Sequence, residues 1–161
     1  MPDVGPVVIG LIADTHGLVR PDVHAALAGV SLILHAGDVG GQDVLDELGV
    51  IAPVMAVCGN MDAPDDPRLE RERIHDVAGI RIHVSHGHEL GQPRPETLAA
   101  RYAGDVLVYG HTHRALITRL DGRLVVNPGA AGPRRFDLLP SVARLTIDRG
   151  HAEVTIIPLD A

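Results

Sequence analysis

The chain contains no lysine; its only side chains with a permanent positive charge are arginines. That excludes a phosphate-loop lysine and any Schiff-base mechanism. There is one cysteine, Cys58, so an intramolecular disulfide and a thiolate zinc cluster are both excluded. Cys58 itself reads as a small buried hydrophobe. Tryptophan is missing, and Tyr102, Tyr109 and Phe136 are the only aromatic residues, too few for a base-stacking platform. No apolar run approaches the roughly 18–20 residues that span a bilayer. Met1-Pro2-Asp3-Val4-Gly5-Pro6 has neither a basic segment nor a cleavage-site pattern, so no signal peptide is expected and the default location is the cytoplasm. A formal net charge of -7 argues against a broad nucleic-acid-binding face. It leaves room for a small phosphorylated substrate, because a bound metal can invert the local charge.

Histidine, by contrast, is abundant, with 10 in 161 residues, and 45 % of the chain is hydrophobic. That length suits a single domain covering residues 1–161, with a sizeable core. Val7 to Ala13 is a continuous apolar run, the mark of a strand buried on both faces, and it leads into Asp14-Thr15-His16-Gly17. Pro21 opens a short helix over about 22–28, stopped by Gly29. Ser31 to Ala36 is a second strand and ends in Gly37-Asp38. A helix over about 42–48 follows, with Gly49 as its stop. Val54 to Cys58 is a third strand and ends in Gly59-Asn60-Met61-Asp62. This βαβαβ order predicts a parallel sheet, in which ligands bind at the carboxyl ends of the strands.

Further on, residues 69–77 look extended, and Ile80 to Ser85 alternates apolar and polar before His86-Gly87-His88. Residues 96–102 read as a helix, and Val106 to Tyr109 as a strand leading into Gly110-His111-Thr112-His113. In an extended chain, residues two apart point to one side, so His111 and His113 offer two imidazoles to one pocket. Two hairpins follow, over 115–126 and 142–157, so the second half reads as mainly antiparallel. The expected architecture is an α/β, four-layer αββα sandwich of two mixed sheets with flanking helices.

The polar residues that follow strands are Asp14, His16, Asp38, Asn60, His86, His111 and His113. No single divalent ion takes seven ligands of this mixture, whereas two ions sharing a carboxylate would take four each. Mixed nitrogen and oxygen donors suit Mn, Fe, Ni or Zn rather than Ca. His35 reads as a core histidine beside Asp38, His83 as a surface residue, and His24, His75 and His151 as solvated. Asp62 either orients Asn60 or ties down a neighbouring loop. His88 either touches metal or substrate or caps its loop. Arg134 and Arg135 read as a solvated pair, with a phosphate grip as the alternative.

The blocks Asp14-Thr15-His16, Gly37-Asp38, Gly59-Asn60-Met61-Asp62, His86 and Gly110-His111-Thr112-His113 resemble, in order and spacing, the calcineurin-like metallophosphoesterase superfamily. Asn127-Pro128-Gly129 and Pro140-Ser141-Val142-Ala143 look like its small YfcE-like phosphodiesterases. The resemblance implies a metal-dependent phosphodiesterase in which a metal-bridging hydroxide attacks a small phosphodiester, with no extended nucleic acid and no membrane as partner. It implies two divalent transition-metal ions, manganese first, with Ni, Fe or Zn as alternatives. One ion would take Asp14, His16, Asp38 and His113, the other Asp38, Asn60, His86 and His111, with Asp38 bridging. Asp38, Asn60 and His88 are the expected catalytic residues, and a homodimer or homotetramer is the expected assembly. The alternative is a non-catalytic scaffold of the same fold, acting as a protein-interaction subunit. One departure stands out. Most members place a histidine after the asparagine as proton donor, and the YfcE-like group usually carries cysteine; here the residue is Met61.

Overall fold

A computed structural model describes residues 5–135 and 137–159 of the chain. The segment read for a signal, Met1–Val4, and the aromatic Phe136 lie outside the described residues, apart from Gly5 and Pro6. The first strands are β1 (Val7–Ile12), β2 (Leu32–His35) and β3 (Val54–Val57), with helices α1 (Asp22–Ala26) and α2 (Gln42–Ile51) between them. Next come β4 (Leu69–Glu70), β5 (Glu72–Val77), β6 (Ile80–Ser85), helix α3 (Pro95–Arg101) and β7 (Val106–Val108). The chain closes with β8 (Leu116–Leu120), β9 (Arg123–Asn127), β10 (Ser141–Asp148) and β11 (His151–Pro158).

These strands form two mixed sheets, ordered β11-β10-β1-β2-β3-β4 and β5-β6-β7-β9-β8. Alternate residues of each strand serve different layers. On β1, Ile9 and Leu11 enter the core between the sheets, where they join Ile82, Val84, Val106, Val108, Leu124 and Val126 of the second sheet. Ile12 faces outward, into a cluster with Val23 and Leu27 beside α1 and Val44 and Leu48 of α2. On β7, Leu107 faces outward against Leu98 of α3. An inner strand covered on both faces has no polar side, which is why β1 and β7 read as unbroken apolar runs. The result is the four-layer α/β sandwich.

Two expectations change. Helix α2 runs through Gly49 to Ile51 instead of stopping at the glycine. A mid-helix glycine costs only about 1 kcal/mol, which burial of Leu48 offsets, and Pro53 then restricts Ala52 to the extended backbone that ends the helix. The second half is mainly antiparallel as expected, through β5–β6, β8–β9 and β10–β11, although β6, β7 and β9 lie parallel to one another. The final hairpin leaves that half altogether: β10 pairs antiparallel with β1, from Val7 opposite Ile147 to Leu11 opposite Ala143. The extended stretch 69–77 is divided. Leu69–Glu70 closes the first sheet, Glu72–Val77 opens the second, and Arg71 sits at the crossing.

Candidate metal centre

Strands β1, β2, β3, β6 and β7 end along one side of the sandwich, and each releases its polar block there. Asp14 is fully buried and Asp38 nearly so. The Oδ1 atom of Asp14 lies 3.9 Å from His16 Nε2, 3.8 Å from His86 Nε2 and 3.6 Å from His113 Nε2. The Oδ2 atom of Asp38 lies 3.3 Å from His86 Nε2 and 3.7 Å from His16 Nε2. Two overlapping donor groups result, Asp14–His16–His113 and Asp14–Asp38–His86, each with ligand atoms within 4.8 Å of one another. Asn60 Oδ1 is 3.1 Å from His86 Nε2, and the His111 ring packs edge-on to His86 with centroids 5.2 Å apart. His16 and His113 thus gather on the Asp14 side, and Asn60 and His111 on the His86 side, with both carboxylates between.

The second oxygens of the carboxylates are occupied. Asp14 Oδ2 accepts the backbone N–H of His111, and Asp38 Oδ1 accepts that of Met61. Asp14 Oδ1 and His16 Nε2, however, are buried with no hydrogen-bond partner. Buried polar atoms left unpaired are costly and rare, and a cation between them would resolve both. His86 is prepared in the same sense: its Nδ1–H is held by the carbonyl of Ala36 at 2.8 Å, which makes Nε2, facing the carboxylates, the nitrogen that a metal would take on loss of its proton. The donor set and its orphaned atoms therefore fit divalent ions.

Backbone geometry sets the site apart. Asp14, His16, Asp38, His111 and His113 all have positive φ, between 46° and 73°. Left-handed backbone at non-glycine residues is uncommon and marks sites where surrounding structure over-determines the conformation. His111 and His113 are therefore not in an extended chain. They sit on a left-handed turn, which sends His113 toward Asp14 and His111 toward His86. The glycines preceding the candidate ligands have a packing role. A Cβ at Gly59 would lie 2.1 Å from Asp38 Oδ1, and one at Gly37 would lie 2.7 Å from His86 Nδ1.

Burial dominates the electrostatics. It raises the Asp14 carboxyl to about 7; the nearby Asp38 charge adds to this and His86 opposes it. Burial also acts to raise Asp38, but the hydrogen bond and charge of His86, with the Met61 N–H, bring it down to about 2. Burial lowers His113 to about 4, aided by His16 and Arg135, and lowers His16 and His111 as well. His86 moves the other way: burial acts to lower it, and Asp38 and Asp14 together outweigh that. Arg135 bears on Asp14, His16 and His113, so this exposed arginine belongs to the surroundings of the centre.

Other histidines sort by their partners. His35 is fully buried; its Nδ1 accepts the Gly37 N–H, its Nε2–H reaches Thr15 Oγ1 at 2.9 Å, and Thr15 passes its own hydroxyl to Val39 O. Both ring nitrogens are used, so His35 is a structural neighbour of the centre. His83 is not on the surface. It is 2 % exposed, stacks on Tyr102 with centroids 4.0 Å apart and bonds Glu72 of β5. Its alternating strand lies under α3 and Tyr102, which the local pattern could not show. His75 is half-buried, with a shielded Nε2. Cys58 is half-buried too, on a cavity wall. His88 lies in a 3-10 turn, 5.3 Å from the His86 ring centroid.

Two residues organise the loops. Asp62 accepts the N–H groups of Val39, Gly40 and Gly59, binding the loop after β2 to the loop after β3. Asn127, fully buried, donates to Gly110 O and Thr112 Oγ1 and accepts from Gly129 N. It thereby holds the turn that carries His111 and His113. Replacing Asn127 by Ala is expected to cost about 1–3 kcal/mol in thermal or urea unfolding and to weaken metal affinity about 10–100-fold. Unchanged affinity in a folded Asn127→Ala variant would remove this role.

The chain is similar to known proteins along most of its length. A probable metallophosphoesterase of Methanothermobacter thermautotrophicus is 38 % identical, over 94 % of this chain and 92 % of its own. The solved structure of an archaeal phosphodiesterase is 25 % identical, covers 95 % of this chain and 100 % of its own, and superposes with a TM-score of 0.76. Vacuolar protein sorting 29 of Cryptosporidium parvum is similar in fold, with a TM-score of 0.80 over 98 % of this chain and 100 % of its own at 22 % identity. Residues 7–150 match the calcineurin-like phosphoesterase superfamily domain, and the chain belongs to that family.

Proposed function

We propose that this protein is a cytoplasmic phosphodiesterase that works with two divalent ions, manganese foremost, within one domain. The observation that carries this reading is the pair of orphaned buried atoms, Asp14 Oδ1 and His16 Nε2, facing the same space as His86 and His113. One ion would be held by Asp14, His16, Asp38 and His113, and the other by Asp38, Asn60, His86 and His111. Bound there, the ions supply an activated water nucleophile and counter the charge of the phosphate. The side chains do the rest. Asp38 stands between the two groups, with Oδ2 turned to His86 and His16 while Met61 N–H holds Oδ1. His86 stays aimed by Ala36 O. Asn60 and His88 flank the opening where a leaving group would depart. Arg135 adds positive charge on the Asp14 side, suited to an anionic substrate.

Elemental analysis after manganese loading tests this reading, with about two ions per chain expected and diester turnover alongside. A folded sample holding no metal would favour the scaffold alternative.

The ionisation of the site gives a second test. Ions bind the deprotonated forms of their ligands. In the metal-free protein Asp14 titrates near 7 and His86 is raised above its ordinary 6.5, whereas His16 and His111 are lowered and His113, brought down to about 4, is already neutral at pH 6. Loading at pH 6 should therefore release protons from Asp14 and His86. Affinity should climb as pH rises through about 7, where Asp14 loses its proton. Calorimetry in buffers of different ionisation enthalpy reads the proton count; a buffer-independent heat at pH 6 would contradict it.

A further inference from the structure

Beside the centre lies a cavity of about 740 Å³ that shares Asn60 and His88 with it. Its other walls include Arg71, at the crossing between the sheets, and Arg101 and Tyr102 at the end of α3. Pockets for whole small molecules run to roughly 300–1,000 Å³, so this one has room for a substrate arm beyond the scissile phosphate.

The charges on its walls are unevenly spent. Asp62 is committed to three backbone N–H groups. Glu89 accepts the Gly87 N–H and the Tyr102 hydroxyl, the latter at 2.6 Å. Glu72 is bonded to the buried His83. The two guanidiniums are not so engaged. Among the described residues neither the Arg71 nor the Arg101 guanidinium makes a hydrogen bond or an ion pair, although three carboxylates share their cavity; Arg101 only rests 5.8 Å from the Tyr102 ring centroid. Other arginines near by are tied down, as Arg73 is to Ala56 O and Arg68 O, and Arg123 to Gly104 O and Ala99 O. One face of Tyr102 is covered by His83, so the pocket selects by charge more than by stacking. Two unspent guanidiniums in a chain of net charge -7 are a site for an anion.

Building on the phosphodiesterase reading, we propose that the preferred substrate is a phosphodiester with a second phosphate on one arm, which Arg71 and Arg101 hold in this cavity while the diester sits at the metal centre.

The test compares two substrates that release the same nitrophenolate: thymidine 5′-(4-nitrophenyl phosphate) and its 3′-phosphorylated form. The manganese-loaded wild type should prefer the 3′-phosphorylated diester in kcat/KM by about 10–100-fold, the range for charge-assisted contacts, chiefly through KM. The double variant Arg71→Ala/Arg101→Ala should bring that ratio close to one. Arg119→Ala, which removes a charge from β8 outside the cavity, should keep it. Calorimetry with thymidine 3′,5′-bisphosphate and thymidine 5′-monophosphate should show the same contrast without turnover. A wild-type ratio near one, a ratio that survives the double variant, or equal loss in Arg119→Ala would overturn the proposal. Absence of turnover on both diesters would overturn the phosphodiesterase reading instead, and the calorimetric contrast would still decide whether the anion site exists.

Discussion

Asp38→Ala is expected to abolish diester turnover, by about 10²–10³-fold or more, the cost of deleting one electrostatic stabiliser of a transition state, and to reduce bound metal at both positions. The physical reason is the location of one oxygen. Asp38 Oδ2 is 3.3 Å from His86 Nε2 and 3.7 Å from His16 Nε2, so it borders both donor groups. The alanine would also leave the Met61 N–H without its acceptor and remove the carboxylate that keeps His86 raised. Asp38→Asn separates these effects, because it keeps an oxygen for Met61 and replaces the charged Oδ2 by an amide NH2 that cannot hold a metal; it should fold like the wild type and still lose activity. His35→Ala is the contrasting variant. It breaks a buried chain of hydrogen bonds from Gly37 through His35 and Thr15 to Val39 and should cost about 1–3 kcal/mol of stability. It removes none of the proposed ligands, so the folded fraction should bind nearly as much metal as the wild type. Loss of metal to the same degree in Asp38→Ala and His35→Ala would show the ligand assignment to be wrong.

The second large effect is expected at Met61, and here the variant gains activity. General acid catalysis contributes about 10²–10⁴-fold, and a methionine thioether has no proton to give. Its side chain is 72 % exposed at the rim of the centre, while its N–H is anchored at 2.8 Å on Asp38. A histidine there should be tolerated within about 0.5 kcal/mol, as exposed substitutions usually are, and the anchored backbone keeps it beside the carboxylate. The wild type should hydrolyse activated aryl diesters readily and ordinary nucleotide diesters slowly, since nitrophenolate departs unaided and a ribose alkoxide does not. Met61→His should accelerate the poor leaving groups most and flatten the dependence of kcat on leaving-group pKa. Equal acceleration of both classes would sink the idea. So would wild-type rates already indifferent to the leaving group, and His88→Ala would then identify the existing donor.

The family and the architecture were legible because both are written in local patterns. Two-faced burial makes β1 and β7 apolar throughout, and the polar blocks follow strand ends because the chain turns there toward solvent. Helix α2 was legible in existence but not in length, since a single glycine is a weaker stop than a buried leucine is an incentive to continue. Asp14, His16, Asp38, Asn60, His86, His111 and His113 could be picked out by residue type and order, because few side chains serve as metal ligands.

What local pattern could not supply is anything that depends on distant segments meeting. Asp14 receives the N–H of His111, 97 residues away, and that contact helps hold the left-handed turn that separates the two histidines. β10 pairs with β1 across the whole chain, a choice no window of sequence contains. His83 looked like a surface residue on an alternating strand until α3 and Tyr102 covered it. Asp62, Asn127 and Arg135 acquire their roles only once loops from separate strands share one edge. The cavity of Arg71 and Arg101 lies between the crossing of the two sheets and the end of α3, elements 30 positions apart whose residues carry no motif. Residue chemistry and period therefore determined the layers and the set of candidate ligands. Tertiary contact determined which atoms of that set remain unpaired, because being buried without a partner is a property of a place in space and not of a residue.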